Sequence, residues 1–439
     1  MLRILTFSAA LLFQLCGLAA QTYNPVEDLI QKYLSDIRQE EAFLYAFFQQ
    51  MPKGGDIHHH YSGAIYAESF AEHIAEKNYW VNTQDYRVEE QRPRSAPLSG
   101  SRDTTWRTCE QLRSAGLWGQ TVQRLVERWS VLGYRTGERG DQYFFGVFPY
   151  LNSAVSANYA EGLREIRRRA ISEQVLYIET IFEPVQCNDA WDDLRPYETA
   201  LLAAQSRRDT AQAQKLIAQL MQQIRASHPA ASSCISQHNA FVRTIHENTA
   251  IDDEQFTLRY QNYALRMLPP TDVFAQLYLC FASAATSPLI VGVNLVGPEN
   301  DPIALRDCWL HHQFFAYLHT QFPNVRIALH AGELTTRIAP AEELTWHISD
   351  AIYSAKAQRI GHCASIAHEQ NSTQLMRYMA EKNIVAEINL TSNEFILNLA
   401  GSAHPIQLLH HHRVPLVIAT DDAGILRTSL TQQIGRAHV

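Results

Sequence analysis

Four short stretches carry residues able to hold a metal and move protons. The first is Asp56-Ile57-His58-His59-His60-Tyr61-Ser62-Gly63. Strand residues i and i+2 share a face, so His58 and His60 point together while His59 points away. Two imidazoles on one face can chelate zinc when other strands bring further ligands. A third imidazole stands in His330-Ala331-Gly332-Glu333, with an acid just beyond it. Arg359-Ile360-Gly361-His362 and Thr420-Asp421-Asp422 complete the set. Three His and one Asp make a hard-to-borderline ligand group suited to Zn²⁺ and to activating water near neutral pH. The His triplet alone is weak evidence, because the chain has 19 His and His410-His411-His412 repeats the spacing. That second triplet reads as a solvated helix end lying before a strand, whereas the first ends one.

The elements that must position these residues follow a rhythm. Short apolar or β-branched runs recur at residues 56–60, 175–182, 241–246, 290–296, 326–330, 359–362, 385–390 and 415–420. Amphipathic helical stretches lie between the later ones, at 304–320, 341–357, 373–382 and 405–412. Strands alternating with helices predict a parallel α/β sheet, and eight of them a closed (β/α)8 TIM barrel, with an open doubly wound sheet as the alternative. Residues 25–50 read as an N-terminal helix. Residues 78–140 read as a long insertion after strand 1, part loop and part helix (122–132), placed to wall or cover the site.

Composition excludes several classes. The chain has 439 residues, 46% apolar and 19% charged, as in an ordinary globular domain. Lys+Arg number 37 against 45 Asp+Glu, net −8, with no basic block, which argues against nucleic acid as a partner. Residues 1–20 read as a secretory signal peptide: Arg3, an apolar run, then small residues before Gln21. The expected location is therefore secreted or periplasmic, with no membrane attachment after cleavage. Export leaves Cys109, Cys187, Cys234, Cys280, Cys308 and Cys363. No C-x-x-C occurs among them, so a cysteine zinc site has no support, and disulfides or free buried thiols both remain open.

Taken in order, Met51-Pro-Lys-Gly-Gly-Asp-Ile-His-His-His, His330-Ala-Gly-Glu, Arg359-Ile-Gly-His and Thr420-Asp-Asp resemble the adenosine deaminase family of metal-dependent amidohydrolases. The secretory start and the insertion resemble its exported, growth-factor-related branch. The resemblance implies a (β/α)8 barrel, one Zn²⁺ per chain, and hydrolytic removal of the purine 6-amino group. It implies His58, His60, His330 and Asp421 as zinc ligands, and Glu333 as the acid that protonates purine N1. It implies His362 and Asp421 as the groups that orient and deprotonate water, Asp422 as the partner of N7, and Gly297 as the backbone N–H that meets N3.

Two departures matter. Small-nucleoside members of the family carry an Asp two residues after the second His, where Ser62 stands here, so the sugar contact loses its charge. The run 290–296 has no Lys, so the carbamylated lysine of two-metal relatives is missing. The expected partner is a small purine nucleoside, adenosine or 2′-deoxyadenosine. Alternatives are adenine or a 5′-modified adenosine on the same metal site, or a catalytically idle secreted binding or signalling protein on the same barrel. The oligomeric state stays open, a homodimer included. Finally, residues 21–433 read as one barrel domain, truncated at its end. A helix beginning near Ser429 is expected to break at Ile434-Gly-Arg-Ala-His-Val, which reads as a non-native tail and leaves Leu416 and Ile418 uncovered.

Overall fold

The computed structural model describes residues 25–94, 105–187 and 191–438. The expected signal peptide and Cys16 lie outside them. Among the described residues no helix is long and apolar enough to cross a membrane.

Eight parallel strands carry the fold: β1 (Lys53–His60), β2 (Val175–Ile181), β3 (Thr257–Leu265), β4 (Ile290–Val296), β5 (Ala328–Ala331), β6 (Arg359–His362), β7 (Val385–Ile388) and β8 (Leu416–Ile418). They form two four-stranded sheets, ordered β1-β2-β3-β4 and β8-β7-β6-β5. Two isolated parallel bridges, Val293–Ile327 and His59–Asp421, join the outer strands of one sheet to those of the other. Their backbone bonds are Val293 N to Arg326 O at 3.0 Å, and Asp421 N to His58 O at 2.9 Å. Helices such as Pro270–Ala284, Pro302–Gln321 and Ser372–Lys382 cover the sheets. Their apolar faces bury Phe274, Phe281, Phe314, Phe315 and Met379 against strand residues such as Val293 and Ile360. This burial is the main favourable term that holds the strand ends in place.

One expected strand is a helix. Residues 241–246 lie inside the helix Ala230–Thr249, and the third strand is Thr257–Leu265 instead. The run Phe241-Val-Arg-Thr-Ile-His is short and β-branched, but only Val242 and His246, four residues apart and hence one helical turn, are buried on it. The stretch 341–357 holds a 3₁₀ turn, Glu343–Thr345, and the shorter helix His347–Tyr353. The N-terminal stretch is two helices, Pro25–Asp36 and Glu41–Gln50.

The 78–140 region holds more than loop and helix. Trp80–Asn82, Val88–Glu89 and Trp106–Thr108 pair as a small antiparallel sheet. The helix Cys109–Ser114 starts at a capping box in which Thr108 and Gln111 satisfy each other's backbone N–H groups. A further helix runs over Trp118–Arg128, earlier than the pattern predicts. Where this region ends, Asp141 accepts from Asn300 Nδ2 at 2.9 Å, and Tyr134 packs edge-on to Phe395. It therefore touches segments that follow β4 and β7.

The C-terminal helix does not break at Ile434. It runs over Leu430–His438, buries Gln433 and packs on Glu41–Gln50, with Ile434 partly buried against Phe48. Leu416 and Ile418 are half-buried against the core alongside Ala437, so this helix shares in covering the surface expected to be bare.

Candidate metal centre

The chemistry-bearing residues meet at the C-terminal ends of the strands. One ligand atom from each of His58, His60, His330 and Asp421 lies within 4.8 Å of every other. A second cluster on the same terms holds Glu333, His362 and Asp421. His59 points the other way, to Thr180 Oγ1 at 3.0 Å. His410 and His411 are solvent-exposed at the end of the helix Ile406–His411.

Hydrogen bonds fix where the lone pairs of His330 and His58 point. Asn294 Oδ1 accepts the backbone N–H of Leu295 at 2.9 Å and of His330 at 3.3 Å, which identifies it as oxygen. His330 Nδ1, 2.8 Å away, therefore donates to it and leaves Nε2 as a lone pair. His58 Nδ1 donates to Glu387 Oε2 at 2.7 Å, and its Nε2 is a fully buried nitrogen with no hydrogen-bond partner. His60 Nε2 sits 3.1 Å from His330 Nε2 and 3.3 Å from Asp421 Oδ1. Converging imidazole lone pairs beside a carboxylate, one of them buried without a donor, fit a cation. Zn²⁺ is among the ions that suit this donor set.

A buried polar chain runs beneath the cluster from one His to the other. Glu387 faces Arg359 Nε at 2.8 Å, and Arg359 Nη2 donates to Glu179 Oε2 at 2.6 Å. Gln261 Nε2 donates to the same oxygen at 3.0 Å, and Gln261 Oε1 accepts from Asn294 Nδ2 at 3.2 Å. Both His rings are thus oriented through their far nitrogens, as metal-binding imidazoles generally are. Gly361 makes room for this: a Cβ there would sit 2.6 Å from His58 Cε1.

Electrostatics divide the site. Burial lowers His60 to about 4 and His362 to about 3, so both rings are neutral. Burial also works against charge on His58, but Asp421 and Glu387 outweigh it and raise the ring to about 10, a proton that a metal must displace. Asp421 is the reverse case: burial would raise its carboxyl, yet the surrounding imidazoles hold it well below the ordinary range. Glu333 is raised well above its ordinary value by burial first, then by Asp421 and Glu299. Asp422 is raised as well, by burial and by Asp421 beside it.

The remaining predicted residues stand just beyond strand ends. Asp422 packs on Gly63, and its Oδ1 is buried without a partner. Ser62 is half-buried in the short helix Tyr61–Ala64 that follows β1. Gly297 has φ +103°, a conformation that suits glycine, and a Cβ would sit 2.2 Å from Met267 Sδ. His362 (φ 65°) and Asp421 (φ 62°) adopt the left-handed region without being glycine, and such strain clusters at functional sites.

Sequence reasoning missed Glu387, Asn294, Arg359 and Glu299 as parts of the site. Glu299 accepts from the backbone N–H groups of Gly332 at 3.0 Å and Glu333 at 2.8 Å, so it holds the turn that carries Glu333. The available signal was a polar residue inside an otherwise apolar strand: Asn294 in Ile-Val-Gly-Val-Asn-Leu-Val and Glu387 in Val-Ala-Glu-Ile.

A parallel α/β fold with a His₃Asp cluster at its strand ends defines a class of metal-dependent hydrolases. Residues 279–438 match the family model described as Adenosine deaminase. A segment of 101 residues is 38% identical to the adenosine deaminase of Yersinia enterocolitica, covering 23% of this chain and 27% of that protein. Another of 166 residues is 27% identical to the adenine deaminase of Sinorhizobium fredii, covering 36% and 44%. The matched segments thus span less than half the length of these curated relatives. The solved structure of an adenine deaminase from Arthrobacter aurescens superposes with a TM-score of 0.50 at 13% identity, over 88% of this chain and 86% of that one, a likeness of fold. These findings support an aminohydrolase.

Proposed function

We propose that this chain is a zinc-dependent aminohydrolase that converts adenosine or 2′-deoxyadenosine to inosine or its deoxy analogue plus ammonia. The observation that carries this reading is the opposition of two groups: the His58/His60/His330/Asp421 cluster, and a buried Glu333 held in its neutral, proton-donating form. The two sheets are read as one closed ring, supported by the bridges on both seams. The 78–140 region is read as a wall of the site, supported by its contacts with the segments that follow β4 and β7.

His58, His60, His330 and Asp421 would hold the Zn²⁺, which would supply Lewis-acid activation of a water nucleophile near neutral pH. Glu333 donates its proton to purine N1, which draws electrons from C6. The C6–O bond forms, the C6–N bond breaks, and the amino group leaves as ammonia. Asp421 accepts a proton of the attacking water, and His362 orients that water. Asp422, with an unpartnered buried oxygen, would bond N7, and the Gly297 N–H would meet N3. The test is a deamination panel over adenosine, 2′-deoxyadenosine, adenine and AMP, with metal analysis of the same sample. Turnover of the two nucleosides with about one zinc per chain is expected. No turnover by metal-loaded protein would refute the reading. The export reading is tested by the N-terminal residue of protein recovered from culture medium or periplasm.

A further inference from the structure

His362 has two ring nitrogens with different surroundings. Nε2 faces Asp421 Oδ2 at 4.0 Å, and Nδ1 lies 2.9 Å from Asn393 Nδ2, on the helix Leu390–Leu397. Glu333 Oε1 and Asn389 Nδ2 are the other polar neighbours of Nδ1, both at the longer distance of 3.5 Å. In a neutral imidazole one nitrogen donates and the other accepts, and the partner of one decides the role of the other. An amide side chain could present either oxygen or nitrogen, so Asn393 alone does not decide.

The decision comes from two residues further out. Asn393 Oδ1 lies 3.0 Å from His404 Nε2, and His404 Nδ1 lies 3.1 Å from the backbone nitrogen of Ile406. A backbone N–H can only donate. His404 Nδ1 therefore accepts, and its single proton sits on Nε2. That proton goes to Asn393 Oδ1, which turns the Asn393 NH₂ toward His362 Nδ1. Reversing the chain would set two donors 3.1 Å apart where His404 is 3% exposed and Asn393 fully buried. A buried donor left facing another donor loses its solvation with nothing in return, which holds one arrangement. Burial also lowers His404 to about 4, so it carries one proton near neutral pH.

We propose that Asn393 and His404 are positioning residues that lock His362 in the tautomer with its proton on Nε2, a direction set by the Ile406 backbone N–H. His362 then offers a donor on the side where Asp421 lies and no lone pair there. It orients the attacking water, and Asp421 remains the acceptor for the water's proton. This consequence for turnover rests on the proposed function; the tautomer itself does not.

The test reads the tautomer directly. Protein labelled with ¹⁵N at histidine is recorded in a long-range ¹H–¹⁵N correlation, which separates protonated from bare ring nitrogens. His362 is assigned by its absence in His362→Gln. Wild-type protein should show a bare Nδ1 and a protonated Nε2. Asn393→Asp, which keeps the shape but offers acceptors only, should move the proton to Nδ1. His404→Leu should leave Asn393 free to turn, mix the tautomers, and lower kcat about 10–100-fold with KM little changed. His404→Gln, which can still donate to Asn393, should recover most of that loss. A wild-type proton on Nδ1, or a His404→Leu spectrum identical to wild type, would overturn the proposal. Should His404→Leu fail to fold, the Asn393→Asp shift decides alone. Spectra that follow the pattern in a protein that deaminates no purine would sink the proposed function and leave this inference standing.

Discussion

His58 Nδ1 lies 2.7 Å from Glu387 Oε2, although 329 residues separate the two in sequence. The contact joins the first and seventh parallel strands inside the fold, where both residues are almost wholly buried. A carboxylate on the far nitrogen fixes the ring's rotation and makes Nε2 a better ligand. Glu387→Gln should therefore weaken metal retention about 10–100-fold, read by competition with a chromophoric chelator. Retention equal to wild type would show that Glu387 serves folding alone.

Burial and the charges of Asp421 and Glu299 favour the neutral carboxyl of Glu333. Glu333→Gln should keep the metal and lose about 10²–10⁴-fold in kcat, because an amide cannot protonate N1. The same shift sets the pH profile. A raised value means that the proton needed for donation is present at neutral pH and is lost only as pH climbs. Activity should therefore fall on the alkaline side, through a limb that disappears in Glu333→Gln.

The cluster of His58, His60, His330 and Asp421 was legible because each stands at the end of an apolar run, and alternation along a strand sorts His58 and His60 from His59 without knowledge of the fold. Phe241–His246 was not legible. A run with Phe241, Val242, Thr244 and Ile245 fits a strand as well as a helix, and the packing of Val242 and His246 decided it. Asn294, Arg359, Glu387, Asn393 and His404 escaped for a different reason. Their roles depend on side-chain partners from 11 to 329 residues away, a relationship that no local spacing encodes. The helix near Ser429 was expected to break at Ile434, whereas it continues to His438 and packs on Glu41–Gln50.

Glu299 makes a stability prediction. Burial would raise its carboxyl, but the hydrogen bond and charge of His347, then Arg266 and the Gly332 N–H, hold it down at about 2. His347 Nδ1 is 2.7 Å from Glu299 Oε1. A folded value below the ordinary 4.5 means that the stabilisation is fully present above that pH and is lost as pH falls toward 2. The shift corresponds to about 3 kcal/mol. Urea midpoints for wild type and Glu299→Gln should differ at pH 7 and draw together as pH falls from 4.5 toward about 2. A gap that stays constant with pH would refute the assignment.

Ser62 tests the sugar. It is half-buried on the helix just after β1 and offers a hydroxyl where small-nucleoside relatives are expected to offer a charge. Removing the 5′-OH from adenosine should cost well under ~10⁴-fold in kcat/KM, the scale of a dedicated buried polar contact. A loss of that size would place another residue at the 5′ position.

The last prediction concerns the disulfide between Cys187 and Cys234, which the sequence left open. It ties the segment after β2 to the helix Ala230–Thr249, across 47 residues of chain. Cys109, Cys280, Cys308 and Cys363 are buried thiols, so among the described residues this is the bond that reduction can open. A cross-link of that span restricts the unfolded chain by up to about 4 kcal/mol in the loop-entropy account, with typical measured values of ~2–4. Domain stability is commonly only ~5–15 kcal/mol, so its loss is a large share of the total. Cys187→Ser with Cys234→Ser should lower the urea midpoint by a corresponding amount while zinc content stays unchanged, because no metal-site residue lies on the tied segments. Reducing agent should reproduce the shift in wild type and leave the double variant unmoved. A double variant as stable as wild type would show that the bond adds nothing to the native state.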